Sequence, residues 1–148
     1  MMWILLFSLI ALTVISALAF YAFKLLKRVK AQHLQIQQAK NERATRIKES
    51  LQIIAKAMQN GDCNLSEGVI RLAMLLIPFG KTLQPYAAMY ALYEVVKEMP
   101  IQDDYKNLAK QERMRLDLTR ESAEAKFNEQ IQTELPQFLL DVNALEGL

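Results

Sequence analysis

The first 23 residues lack any ionisable side chain, since no Asp, Glu, Lys, Arg or His precedes Lys24. A helix of this length would measure about 35 Å at about 1.5 Å per residue, against a hydrocarbon core of about 30 Å. The few hydroxyl groups in the segment can bond back to the helix backbone, so no unpaired polar group is forced into lipid. Such a run is rare in a buried soluble helix. We therefore predict a transmembrane anchor over residues 1–23.

Cysteine and histidine each occur once, as Cys63 and His33. A lone cysteine excludes an intrachain disulfide and a thiolate metal site within one chain, and it fits a reducing compartment. Nothing supports a Cys–His pair or a Ser–His–Asp relay. Glycine-rich phosphate loops of the G-x-x-x-x-G-K-S/T or G-x-G-x-x-G spacing are absent. We expect no catalytic residue, no cofactor and no metal, and hence a protein that is not an enzyme.

Glycine and proline are also scarce, with four of each. They fall singly between long stretches rich in Leu, Ala, Gln, Glu and Lys, a distribution typical of helical proteins. No stretch alternates apolar and polar residues as a strand would. The sequence therefore predicts an all-α fold with an N-terminal transmembrane helix, a helical stalk and a cytoplasmic bundle of about four helices.

Charge is distributed unevenly along the remainder. Residues 24–59 carry nine Lys/Arg against two Asp/Glu, whereas residues 60–148 carry nine against fourteen. Four of these cations crowd the end of the apolar run, and we call them the basic collar: Lys24, Lys27, Arg28 and Lys30. The positive-inside bias then places the N-terminus in the periplasm and the bundle in the cytoplasm of a bacterial inner membrane, with the collar at anionic headgroups. The acidic body argues against nucleic acid as a partner.

A cleaved signal peptide is the rival interpretation of the N-terminus. The tripeptide Ala17-Leu18-Ala19 resembles a processing site. A signal peptide, however, carries its positive charge before the apolar run, whereas the basic collar follows it. We therefore favour a retained anchor.

The chain after the anchor is divided by its apolar pattern. Residues 24–43 have an interrupted apolar face and are predicted to be a basic helical stalk, while residues 44–148 are predicted to be the bundle. The first bundle helix has an apolar stripe at spacings of three and four, namely Ala44, Ile47, Leu51, Ile54 and Met58. Self-pairing of the stalk as a coiled coil, and hence a homo-oligomer, stays open.

Turn signals divide the bundle further. Asn64 is expected to cap a helix over residues 65–77 by accepting from the Glu67 amide. A third helix is predicted from near Pro85 to just before Pro100. A fourth, long helix is predicted from Asp103 or Asp104 to a boundary at Pro136, followed by a short closing helix.

Three tyrosines, Tyr86, Tyr90 and Tyr93, form a row on the third helix. Tyrosine is enriched at interfaces, so the row is a candidate recognition surface for a protein partner. The alternative is that the rings pack against neighbouring helices with their hydroxyls at the edge, as buried tyrosines commonly do. We favour the packing role.

Charged residues supply the other candidate sites. Glu67 and Arg71 share a face of an otherwise apolar helix, and buried charges persist mainly when paired. They are predicted to bond each other or the fourth helix, as the floor of a polar pocket or as a network that fixes helix register. The fourth helix offers a charged side that acidic partners or anionic lipid could contact, although local pairing and solvation fit it better: Arg113, Arg115, Asp117 and Arg120.

Three stretches, NLSEGVIRLAMLL, QPYAAMYALYEVVKEMP and KQERMRLDLTR, together with the anchor, carry a resemblance that covers nearly the whole chain. The sequence resembles a family of small bacterial single-pass inner-membrane proteins grouped as a domain of unknown function. The resemblance implies location and fold, and it brings no reaction, substrate or cofactor.

The leading functional hypothesis is a membrane-tethered, non-enzymatic interaction module, because confinement to a surface raises effective concentration near other membrane components. Two alternatives stay open. One is an accessory subunit whose anchor pairs with other transmembrane helices. The other is an enzyme acting on a membrane-proximal substrate.

Overall fold

A computed structural model describes residues 1–100 and 102–145, without the side chains of residues 102 and 103. Within these residues the chain forms five α-helices and one 3-10 helix, and no strand. The all-α prediction is confirmed. The last predicted bundle residues, 146–148, lie outside the described part. The elements are α1 (Met2–Asn60), α2 (Leu65–Leu76), a 3-10 helix (Ile77–Phe79), α3 (Ala87–Val96), α4 (Gln102–Asn107) and α5 (Lys110–Asn143).

The chain divides into two compact units, Met1–Glu42 and Arg43–Leu148. In the first unit every side chain is exposed, including all of the large apolar ones. Within the described residues, α1 is the one helix long and apolar enough to cross a membrane by length and composition, a test that a signal sequence also passes.

The serine and threonine hydroxyl groups of the apolar run are satisfied by the helix itself, as expected from the sequence. Each bonds to a carbonyl oxygen one turn earlier: Ser8 to Leu5 at 2.8 Å, Thr13 to Ile10 at 2.8 Å and Ser16 to Leu12 at 2.9 Å. The segment therefore presents apolar surface without an unpaired hydroxyl donor among these three residues.

The second unit buries a core between the end of α1 and helices α2, α3 and α5. The predicted stripe of α1 is confirmed, with Leu51 and Met58 fully buried and Ala44 nearly so. On α3 the buried residues Met89, Leu92 and Val96 follow spacings of three and four and so lie on one face of the helix. The helix α2 is less enclosed than its composition suggests, because Met74 is 65% exposed.

A close approach between α1 and α2 depends on a residue without a side chain. Gly68 is buried, and a Cβ atom placed on it would lie 2.3 Å from Met58 Sδ and 2.6 Å from Met58 Cγ. Real carbon atoms do not approach this closely, so any larger residue would force Met58 to move within a packed core.

The turn between α1 and α2 departs from the predicted capping pattern in one bond. Gly61 adopts a left-handed φ of 78°, and the Asp62 amide donates to the Ala57 carbonyl at 2.9 Å, which closes α1 with a Schellman motif. Asn64 caps α2 as predicted, but its Oδ1 atom accepts from the Ser66 amide at 2.9 Å and not from that of Glu67.

Two predicted boundaries of the last helix are wrong. A break at Leu108 and Ala109 separates α4 from α5, with neither glycine nor proline to signal it. In addition, α5 continues through Pro136 to Asn143. A helical proline costs about 3 kcal/mol. Burial of Leu135, Phe138 and Val142, each worth about 1.5–3 kcal/mol, outweighs that cost while the Pro136 ring itself faces outward.

Candidate functional site

A surface groove of about 600 Å³ opens in the second unit where the end of α2, the start of α3 and the end of α5 meet. We call it the α2–α3–α5 groove. Most of its lining is apolar, with a lysine, a threonine, a tyrosine and an aspartate among the apolar side chains. The lining residues are Leu76, Phe79, Lys81, Thr82, Pro85, Tyr86, Phe138, Asp141, Val142, Ala144 and Leu145.

Gly80 directs the chain around one side of this groove. Its φ is 64°, and its amide donates to the Ile77 carbonyl at 2.9 Å, so the 3-10 helix ends in a left-handed turn. The Lys81 amide donates to the Leu76 carbonyl at 3.2 Å. These bonds end the helix and place Lys81 and Thr82 in the groove lining.

Tyr86 forms the polar part of the groove wall together with α5. Its ring lies edge-on to Phe138, with centroids 5.2 Å apart. Its hydroxyl donates to Asp141 Oδ2 at 2.5 Å, and the side-chain Nε2 of Gln137 donates to Asp141 Oδ1 at 2.9 Å. Burial, followed by the bond to the Asp141 carboxylate, raises the pKa of Tyr86 above its ordinary value, so the tyrosine stays a neutral donor.

Glu134, about two turns before Asp141 on the same face of α5, caps the start of α3. Its carboxylate accepts from the Ala88 amide at 2.8 Å and from the Met89 amide at 3.0 Å. The residue at the N-cap position, Tyr86, provides no side-chain cap of its own. The orphan amide donors of α3 are therefore satisfied by a charged group from another helix.

The other two tyrosines of the predicted row lie outside the groove lining. Tyr90 and Tyr93 are half-buried and pack against the core cluster. Of the row, Tyr86 alone is among the groove residues. The structure thus divides the predicted surface into one groove residue and two packing residues.

The expectation that Glu67 and Arg71 lie in a buried network is wrong. Their side chains pair at 2.5 Å across one helical turn, but they are 56% and 60% exposed, respectively. The buried face of α2 instead carries Ser66 and Gly68, and the Ser66 hydroxyl donates to Glu124 on α5. Glycine and serine suit the close helix contact, which turns the two charges toward solvent.

The charged side of α5 contains a small cluster around Asp117. Its two carboxylate oxygens accept from the Tyr105 hydroxyl at 2.5 Å and pair with Arg120 at 3.2 Å. The bond to Asp117 raises the pKa of Tyr105. Arg113 is half-buried, and Arg115 is exposed without an ion pair to Glu112 in the described part of the chain.

In the first unit, all four residues of the basic collar are exposed: Lys24, Lys27, Arg28 and Lys30. The Lys27 ammonium lies 5.8 Å from the centroid of the Phe23 ring. Such a contact suits a cation at the border of an apolar segment, because the face of the ring attracts the ammonium.

Several groove residues escaped prediction from the sequence, among them Lys81, Thr82 and Asp141. The Glu134 cap of α3 was not predicted either. The groove joins the residues after α2 to those near the end of α5, and a single sequence has no signal for such a distant pairing. Cys63 is half-buried, and burial raises the pKa of its thiol. Among the described residues, no group of three or more His, Cys, Asp or Glu is placed to hold a metal ion.

The fold and the groove define an all-α protein with one apolar N-terminal helix that could serve as a membrane span or a signal sequence. Residues 15–138 match the profile of the family described as "Protein of unknown function (DUF2489)", and the chain belongs to that family. It is 57% identical over 146 residues to a Haemophilus influenzae protein described as "Uncharacterized protein", with 99% of each chain covered. No solved structure matches.

Proposed function

We propose that this protein is a non-enzymatic interaction module tethered to the cytoplasmic face of a bacterial inner membrane. One observation carries the proposal: α1 is a single helix whose first part exposes apolar side chains and whose last part is built into the core of the second unit. A helix of this kind would tether the bundle through its own backbone, by way of the stalk over residues 24–43.

The direction of the tether is supported by the basic collar. Lys24, Lys27, Arg28 and Lys30 follow the apolar run, and cations beside a span favour the cytoplasmic side. Anionic headgroups would be the first contact of these residues, at about 1 kcal/mol per cation near the surface.

The surface of the bundle supports a role in recognition. Large apolar side chains remain exposed on several of its helices, including Ile53 at 67%, Ile77 at 68% and Leu140 at 63%. Exposed apolar groups of this kind are what a partner helix or segment would cover.

The location is tested by fusing a reporter after residue 148. Green fluorescent protein, which fluoresces in the cytoplasm, should be bright and sedimented with membranes, whereas a periplasmic phosphatase should be inactive. Exchanging the four residues of the basic collar for glutamine should weaken the preference of the bundle for the cytoplasmic side. An active phosphatase fusion would show the opposite orientation and overturn the proposal.

The role of the bundle is tested by replacing residues 1–23 with an unrelated transmembrane helix. Partners captured by crosslinking in living cells should be retained after the exchange if the bundle recognises them. Partners that are lost while the exchanged protein stays folded and membrane-bound would make the chain an accessory subunit that acts through its anchor.

A further inference from the structure

The α2–α3–α5 groove has the size and lining of a small-molecule site. Its volume of about 600 Å³ falls within the range of about 300–1,000 Å³ that such sites occupy. Phe79 and Leu145 are half-buried and Pro85 is exposed, so these side chains contribute apolar surface to the lining. An occupant would therefore bring an apolar body.

The two charged side chains of the groove, Asp141 and Lys81, differ in the hydrogen bonds that they already form. Both oxygens of Asp141 accept hydrogen bonds, from Tyr86 and from Gln137. Lys81 is exposed, and its ammonium forms no hydrogen bond or ion pair within the part of the chain that the structure describes. The charged side chain of the lining that has no partner in the described part of the chain is thus a cation.

We propose that the α2–α3–α5 groove binds a single-chain amphiphile with an anionic head, the chain along the apolar lining and the head at the Lys81 ammonium. Thr82, the next residue of the lining, adds a hydroxyl donor for the same head. A cationic head would instead have to approach Asp141, each of whose oxygens already accepts one hydrogen bond. The inference goes beyond the interaction module and does not depend on any protein partner.

The probe for the test is dodecanoate that carries a photoactivatable diazirine on its chain. The full-length protein is reconstituted in phosphatidylcholine nanodiscs, labelled by light and digested, and the labelled positions are mapped by mass spectrometry. We expect label on segments 76–86 and 138–145 in addition to the anchor. Label confined to the anchor would reflect partition into lipid and would overturn the proposal.

Matched lysine variants distinguish binding in the groove from a general effect of positive charge on labelling. Because Lys81 is exposed, Lys81→Gln should leave the fold intact, and removing one ion contact should lower groove labelling about fivefold. Lys56→Gln, which removes an exposed lysine of the same unit outside the groove lining, should leave labelling unchanged. Ala144→Trp, which puts a large ring into the lining, should also reduce it. Equal labelling of the two lysine variants would overturn the proposal.

The head group and its source are tested by competition. A trimethylammonium analogue of the same chain length should label the groove less than dodecanoate does. Unlabelled dodecanoate that competes would indicate a free fatty acid, and lysophosphatidylglycerol that competes would indicate a phospholipid source. Competition by neither, or equal labelling by the cationic analogue, would overturn the proposal, whereas failure of the reporter fusions above would affect only the location.

Discussion

The two units of this chain differ in how far their large apolar side chains are exposed. In Met1–Glu42, leucines such as Leu18 are exposed to the surroundings, at 63% for this residue, whereas in the second unit Leu72 has no exposed surface. Apolar residues have to leave water in either case. The second unit meets this requirement with a core of its own, whereas the first has no core, and under the proposed function its apolar side chains would be covered by lipid.

The largest expected effect comes from the same substitution made in both units. Leu72→Ala should lower the free energy of unfolding of the bundle by about 2–5 kcal/mol, because it leaves a cavity in a packed core. Leu18→Ala should leave that free energy unchanged. Urea unfolding of the full-length protein in nanodiscs, followed by circular dichroism, measures both. Similar losses in the two variants would mean that the first unit is packed against protein.

Gly68→Ala tests the close approach of α1 and α2. The new methyl group would overlap Met58, at a cost of about 1–3 kcal/mol in the free energy of unfolding, despite a gain in helix propensity of about 1 kcal/mol. In a Met58→Ala background the overlap is gone, so the same change should be neutral or stabilising. Equal effects in both backgrounds would contradict the packing described.

Glu134→Ala tests the charged cap of α3. The variant leaves the Ala88 and Met89 amides without their acceptor, which should cost about 1–2 kcal/mol, measured by the same unfolding experiment. Glu129→Ala, on the exposed surface of the same helix, is the matched control and should be close to neutral. A control that lost as much stability would point to helix propensity and not to the cap.

Tyr86→Phe tests the bond at the groove wall, with an expected loss of about 1 kcal/mol at neutral pH. The folded-state pKa of Tyr86 is raised above the ordinary value of 10.0, so the folded state holds the proton more tightly than the unfolded state does. The stabilisation is therefore fully present below pH 10 and is lost as pH rises through the folded-state pKa.

A series of unfolding measurements between pH 7 and 11 compares this variant with the unmodified protein. The difference in stability between the two should shrink above about pH 10. A difference that stayed constant over this range would show that the hydroxyl proton does not contribute as described.

The smallest expected effect belongs to Glu67→Gln. The ion pair with Arg71 is more than half exposed, so its loss should change the free energy of unfolding by less than about 0.5 kcal/mol. A loss of about 3 kcal/mol, typical of a broken buried pair, would support the buried network that the sequence predicts and contradict the exposed pair.

Much of the fold could be predicted because local signals agree with the packing. The spacing of Leu51 and Met58 on α1, and of Met89, Leu92 and Val96 on α3, is one face of a helix, and these residues are the core. Asn64 and the turn at Gly61 marked the start of α2 for the same local reason.

The errors arose where distant contacts override local preference. Pro136 predicts a helix end, but burial of Leu135 and Phe138 on either side keeps the segment helical. The apolar composition of α2 predicts that Glu67 and Arg71 are buried, but the contact at Gly68 sets which face turns inward. The groove depends on residues 76–86 meeting residues 138–145, and no spacing in one sequence encodes that meeting.

The retained anchor is tested most directly by the intact mass of the protein purified from washed cell membranes. The account predicts a chain that still contains residues 1–23 and resists extraction by alkaline carbonate. A soluble periplasmic chain that begins after Ala19 would contradict it.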